Sequence, residues 1–346
     1  MKLPRTIIQS SIRHFLLLML VICIAGRLQG QDSADFGLFT SDGILTITIK
    51  TDLKNLIKKK KEGKYQQAEL ILNNNSYSIR VKTRGNYRLE NCSFPPIMLN
   101  FSKTKFADNS NSTLKKLKLV NVCKLQNSFT QYLFREYLIY RVFNLMSNMS
   151  FKVRLLQIKY EDTNLKMKSV TQYGFVIEDQ KIMADRLDGM IIKRTGLKDQ
   201  VTNTEQIIML SIFQFMMGNT DWQVASLQNL KLLKINDFNE PAPYAIPYDF
   251  DYTGMVNASY AIPADILGIQ NIRERLYWGK CYPQEDILVA IEKFNEKKED
   301  IYQLYQNFVF FDKASLNYSI SYLDSFYKII ENEKQWKHYF EDKCRD

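Results

Sequence analysis

The sequence predicts an α+β protein of two lobes, strand-rich in its first half and mostly helical in its second. Three features carry this expectation. Short runs of β-formers, alternating or apolar, recur before residue 180. The segment 204–217 is apolar nearly all round, as a buried helix is, and helical patterning resumes at 284. One polar hairpin lies between those two helical regions. No Pro/Gly/Ser-rich linker, repeat or low-complexity tract divides the chain, and hydrophobic residues at 45% with aromatics at 13% suffice for a large core. One domain over 31–346 is therefore predicted, with an N-lobe at about 36–180, a C-lobe at about 181–346 and a ligand cleft between them.

Residues 1–30 read as a signal peptide. Lys2, Arg5 and Arg13 precede an uncharged run at 15–25, and Gly30-Gln31 offers a small residue before a polar start. The run is too short for a membrane span, which takes about 20 residues. Ile22 stands where a small residue would precede a lipidated Cys23, so cleavage after Gly30 is expected. The mature chain is then secreted, periplasmic or at the cell surface, with no transmembrane segment. Of 47 basic and 37 acidic residues, the signal holds four basic and no acidic ones, leaving the mature chain mildly basic. The Lys58–Lys61 run lies on a predicted helix at 52–62 without interleaved aromatics, which reads as a solvated face and not as a nucleic-acid patch.

Strands are predicted at 44–49, 68–72, 77–83, 97–101 and 117–120, followed by a helix at 128–146 and strands at 153–160 and 174–177. Tyr132, Phe134, Tyr137, Leu138 and Val142 form the apolar face of that helix. Gly218 suits the end of the 204–217 helix. The hairpin runs over 229–236, a turn at 237–243, and 244–249.

Cysteine and histidine usage narrows the chemistry. Cys92, Cys123, Cys281 and Cys344 remain after signal removal; an even count in an exported chain reads as two disulfides with three possible connectivities. Cys92–Cys123 with Cys281–Cys344 is favoured, because it ties each half to itself. No CxxC spacing points to zinc or thiol redox work. The only histidines are His14, inside the signal, and His338, in an aromatic C-terminal helix. Ser-His-Asp triads, Cys-His pairs and His-rich metal sites thereby find little support. Catalysis would rest on carboxylates, amides, lysines and a hard metal ion.

The stretch from Phe213 to Gly254 carries the densest chemistry. A buried helix ends, a polar loop presents Asp221, a strand opens at Asn229, and the hairpin returns to Asp249-Phe250-Asp251. With Asn236 facing Tyr244, Asn229 falls opposite Asp251 and near Asp249. Hard oxygen ligands at one point, Asn229, Asp249 and Asp251, suit Mg²⁺ or Mn²⁺ with bound phosphates. Kinase-type phosphoryl transfer uses such a set, with an Asp such as Asp221 orienting the attacking hydroxyl and ATP as donor. The plainer alternative makes Asp221 a turn cap and Asp249 and Asp251 turn residues.

Asp221, the spaced Asn229 and Tyr248-Asp249-Phe250-Asp251-Tyr252-Thr253-Gly254 together resemble the CotH-like spore-coat kinases, secreted members of the protein-kinase-like fold. Thr83-Arg84-Gly85-Asn86 resembles the RGN element of that family, in the place of a phosphate-covering loop. Gly174-Phe175-Val176-Ile177-Glu178 resembles its strand ending in a Glu that pairs with a nucleotide-binding lysine. The likeness covers roughly residues 78–255. It implies a bilobal kinase-like fold and transfer of phosphate from ATP to a secreted or surface protein. In that resemblance Asp221 is catalytic, Asn229, Asp249 and Asp251 hold the metal, and Arg84 and Glu178 serve the nucleotide. The sequence departs in three places. The strand after RGN has no lysine, so Lys118 on the next strand is the substitute; Asp221 and Asn229 are further apart than in ordinary protein kinases; and Gly254 arrives one position early. The alternative is a catalytically inactive kinase-like binding or envelope structural protein.

Overall fold

A computed structural model describes residues 38–104 and 114–345. The signal segment, its cleavage position and Cys23 lie outside the described residues.

Seven strands of the first half form one sheet: β1 (Leu45–Thr51), β2 (Gln66–Leu72), β3 (Asn75–Thr83), β4 (Ile97–Asn100), β5 (Lys116–Asn121), β6 (Val153–Asp162) and β7 (Val170–Ile177). Their spatial order is β1-β2-β3-β4-β5-β7-β6, and β6 returns to β1 in parallel, with Leu45 opposite Leu156, closing a barrel. The other pairings are antiparallel. Asn73 and Asn74 join β2 to β3 with φ of 49° and 62°. Left-handed backbone at both central positions is what a tight hairpin turn needs, and asparagine tolerates it.

Side chains alternate along a strand, and here the alternation separates two cores. Leu156, Ile158 and Tyr160 of β6 fill the barrel with Val176 of β7. Their neighbours Val153, Leu155, Phe175 and Ile177 face outward into the second core. Gly174 is obligatory at the β5–β7–β6 crossing, since a Cβ there would lie 2.8 Å from the Val120 carbonyl oxygen and 2.6 Å from Ile158 Cδ1.

The second core is built by α3 (Asn127–Met146) and α5 (Thr204–Met217) with α6 (Gln284–Glu296), α7 (Lys298–Gln306), α8 (Lys313–Ile330) and α9 (Glu333–Lys337). Every residue of α5 from Gln206 to Met217 is buried. Asn203 caps its first turn by accepting from the Gln206 amide at 3.0 Å, and Gly218 ends it at φ 64°. The short helices α1 (Leu53–Lys58), α2 (Tyr87–Asn91) and α4 (Gln180–Arg186) follow β1, β3 and β7. A separate antiparallel sheet orders β10 (Tyr244–Pro247), β9 (Leu230–Ile235) and β8 (Gly189–Ile192). Among the described residues no helix is long and apolar enough to cross a membrane. The disulfides are Cys92–Cys123 and Cys281–Cys344, with Cα separations of 4.6 and 5.0 Å.

The mixed α+β composition stands. The strand-rich half, however, is a closed seven-stranded barrel, which is not the N-lobe of a bilobal kinase-like fold. The parallel β1–β6 pairing leaves the sheet without an edge. The hairpin register also differs from the sequence expectation. Tyr244 faces Leu233, not Asn236, because Asn236 leaves β9 to donate to the Asp188 carbonyl at 2.7 Å. Asn229 therefore faces Tyr248, whose amide donates to its carbonyl at 3.0 Å, and not Asp251.

Candidate active-site cleft

A cleft of about 540 Å³ opens between the barrel and the helical core, and Arg84, Lys118, Asp221, Asn229, Asp249 and Asp251 all line it. Each arrives on a different local device.

Asp221 follows the Gly218 terminus of α5. The Asn219 side chain bridges from Gln214 (2.8 Å) to the Asp221 amide (3.0 Å), and the buried Trp222 anchors the loop. The Asp221 carboxylate accepts from Gln228 Nε2 and from Asn229 Nδ2, the latter at 2.9 Å. Asn229 Nδ2 also donates to the Asp221 carbonyl at 2.8 Å. With its nitrogen committed, the Asn229 amide presents its oxygen as the remaining polar atom.

Asn229 and Asp249 both adopt left-handed backbone, with φ of 49° and 68°. Such conformations cost on the order of 1–3 kcal/mol each and gather at functional sites. Asp249 is pinned by its amide, which donates to Tyr140 Oη at 2.8 Å. Its carboxylate is accessible within the cleft, yet the enclosing protein and Asp251 push its pKa up, against the pull of Arg88, Arg84 and Lys118. Gly254 and Met255 donate to the Gly218 and Met217 carbonyls at 3.0 Å each, so the segment after Asp249 docks on the end of α5. A Cβ at Gly218 or Gly254 would overlap the Tyr322 hydroxyl.

Across the cleft stand the cations. Arg84 and Gly85, the latter at φ 101°, follow β3, and the Cys92–Cys123 disulfide ties the following α2 to the end of β5. Burial lowers the Arg84 pKa while Asp249 raises it. Lys118, half-buried on β5, is lowered to about 8 by burial and by Arg84, with Asp249 opposing.

A third group was not anticipated from the sequence. Arg88 on α2 donates through Nε to Asp251 Oδ2 at 2.8 Å and through Nη2 to Glu136 Oε2 at 2.6 Å. Tyr260 Oη donates to the same Asp251 oxygen at 3.2 Å. Glu136 is buried in α3, and its pKa is pushed up to about 7 by burial, with Arg88 pulling the other way. One guanidinium thus serves two carboxylates, and Asp251 is tied to it.

Glu178 is not in the cleft. It pairs with Arg186 at 2.8 Å and accepts from the Lys152 amide at 3.0 Å, so it has no link to Lys118. Among the described residues no three His, Cys, Asp or Glu side chains form a metal-binding group. Asn229 and Asp249 both line the cleft and offer an amide oxygen and a carboxylate as hard donors. That pair fits Mg²⁺, which is commonly held by one or two protein ligands together with waters and phosphate oxygens.

Compared with protein-family models the chain matches none, and no curated protein gives a significant match. Among solved structures it is similar to the crystal structure of a Helicobacter pylori proinflammatory kinase, CtkA. The TM-score is 0.36 and the sequence identity 13%, covering 77% of this chain and 88% of that one. A likeness of that extent carries neither the fold nor the activity of that kinase to this chain.

Proposed function

We propose that the chain is an exported ATP- and metal-dependent phosphotransferase of the kinase-like kind, acting in this cleft on a hydroxyl of a secreted or surface protein. The observation that carries it is that Asp221, Asn229 and Asp249 line one cleft together with Arg84 and Lys118. Two disulfides are compatible with export.

Arg84 and Lys118 hold the phosphate chain across from the carboxylates. Asp221, fixed by Gln228 and Asn229, takes the proton of the acceptor hydroxyl while that oxygen attacks the terminal phosphorus. The bond from this phosphorus to its bridging oxygen breaks, and the nucleoside diphosphate leaves with those electrons. Asp249 and the Asn229 oxygen would hold the divalent cation, whose chemistry is to neutralise phosphate charge. The neutral Tyr140 hydroxyl keeps Asp249 aimed.

A second reading, nucleotide binding without catalysis, is favoured by one observation: Arg88 engages Asp251, leaving a single carboxylate for the cation. Incorporation of terminal-phosphate label from ATP, into the protein itself or an added acceptor, separates the two. Wild type should incorporate label, and Asp221→Asn should lose on the order of 10²–10⁴-fold in rate. Equal incorporation by both would remove Asp221 from the chemistry. Binding without any wild-type transfer would establish the second reading.

A further inference from the structure

We infer that Lys231, through Tyr248, completes a three-cation subsite with Lys118 and Arg84 that holds a chain of at least two phosphate groups. This deepens the phosphotransferase reading and rests on it.

Lys231 lies on β9, two residues after Asn229, and nothing in the sequence pattern distinguished it from an outward-facing strand lysine. Its ammonium lies 4.9 Å from the centre of the Tyr248 ring and 3.3 Å from the Tyr248 hydroxyl. Lys118 approaches the same ring at 4.7 Å from β5, on the barrel side of the cleft. The two nitrogens are therefore no further apart than the sum of those distances, although they come from different sheets. Tyr248 lines the cleft and stands next to Asp249.

Among the described residues neither lysine forms an ion pair within 4.0 Å, and both are half-buried. The two ammonium groups and Arg84 repel one another, and Asp249 offsets part of that repulsion without pairing with either lysine. Burial first and Arg84 second weaken the hold of Lys118 on its proton, Asp249 opposes them, and Lys231 adds a smaller push in the same direction as Arg84. A ring face relieves part of that repulsion, because its negative quadrupole attracts cations. The full relief is an anion with several charges. A single phosphate would engage one ammonium well, whereas a di- or triphosphate would span both while its far end meets Arg84. The subsite thus selects nucleoside di- and triphosphates over monophosphates.

Calorimetric titration of the mature chain with Mg²⁺ present tests this, using ATP, inorganic tripolyphosphate and orthophosphate as separate probes. Wild type should bind ATP and tripolyphosphate and show at least tenfold weaker binding of orthophosphate. Lys231→Ala should weaken ATP and tripolyphosphate at least tenfold, Lys231→Arg should restore most of it, and Lys328→Ala, an exposed charge on α8, should change neither. Thermal melts of each variant check folding, and Lys231→Arg preserves the test if the alanine variant fails to fold. If wild type binds ATP and Asp249→Ala does not, yet Lys231→Ala binds both polyphosphates as wild type does, the subsite is wrong and the phosphotransferase reading survives. If wild type binds none of the three, both fall.

Discussion

Lys118 is the residue whose chemistry is easiest to address. Its pKa of about 8 means it carries charge below that pH and loses it above, so the sign for anion binding is fixed. Affinity for ATP should hold steady from pH 7 to 8 and then fall by up to about tenfold per pH unit as the ammonium titrates. Lys118→Arg, charged throughout, should flatten the decline. Affinity titrated at pH 7, 8, 9 and 10 checks it; parallel declines in the two proteins would show that another group is responsible. The same scale shows what sequence reasoning could see. Asp221, Asn229 and Asp249 were legible because turn and strand signals framed them. Arg88 and Glu136 were not. Arg88 returns to the cleft only because α2 makes one turn after Arg84, and a five-residue helix leaves no periodic signature. Glu136 lies between Phe134 and Tyr137 on a helix buried on nearly every side, and that flanking was the available clue. Glu178 was misassigned because Arg186, eight residues on, takes it through the short α4.

At the scale of elements, the join between α5 and the segment after Asp249 holds the site's geometry. Gly218 and Gly63 share the left-handed backbone, at φ 64° and 62°, but only Gly218 is crowded, by Tyr322 and the Gly254 backbone. Alanine at Gly63 should cost about 1–2 kcal/mol from backbone strain alone. Alanine at Gly218 should cost more than that, about 3 kcal/mol, because the Tyr322 hydroxyl must also move. Urea denaturation of both variants tests the difference; equal losses would show that the α5 terminus is loose enough to take a Cβ without displacing Tyr322. Strand and helix positions were largely legible, α5 to the residue, because strong periodicity fixes an element from its own sequence. The hairpin register was not. It depends on β8, which captures Asn236 through Asp188 from outside the hairpin. The early Gly254 has a local reason: its backbone meets Gly218, and a Cβ would lie 2.8 Å from the Ile272 carbonyl oxygen.

At the scale of the molecule, the closed barrel is the feature least visible in sequence. β1 and β6 are separated by all the intervening strands and α3, and parallel pairing at that distance leaves no short-range signal. What closure does for the site is to fix β5, and with it Lys118, opposite the hairpin that carries Asn229 and Asp249. The Cys92–Cys123 link holds the Arg84–Arg88 segment against the same strand. The cleft is thus bounded by a barrel wall of cations and a hairpin end of oxygen donors, which is the basis for placing a nucleotide and its metal between them. The most direct test is thermal unfolding of wild type and Asp249→Ala with ATP and Mg²⁺ together and each alone. Ligand at 100 times its dissociation constant adds about 2.7 kcal/mol, roughly 4 °C for a chain of this size. That rise is expected for wild type only when both are present, with none for Asp249→Ala; the same rise in both proteins, or none in wild type, would remove Asp249 from a nucleotide–metal site.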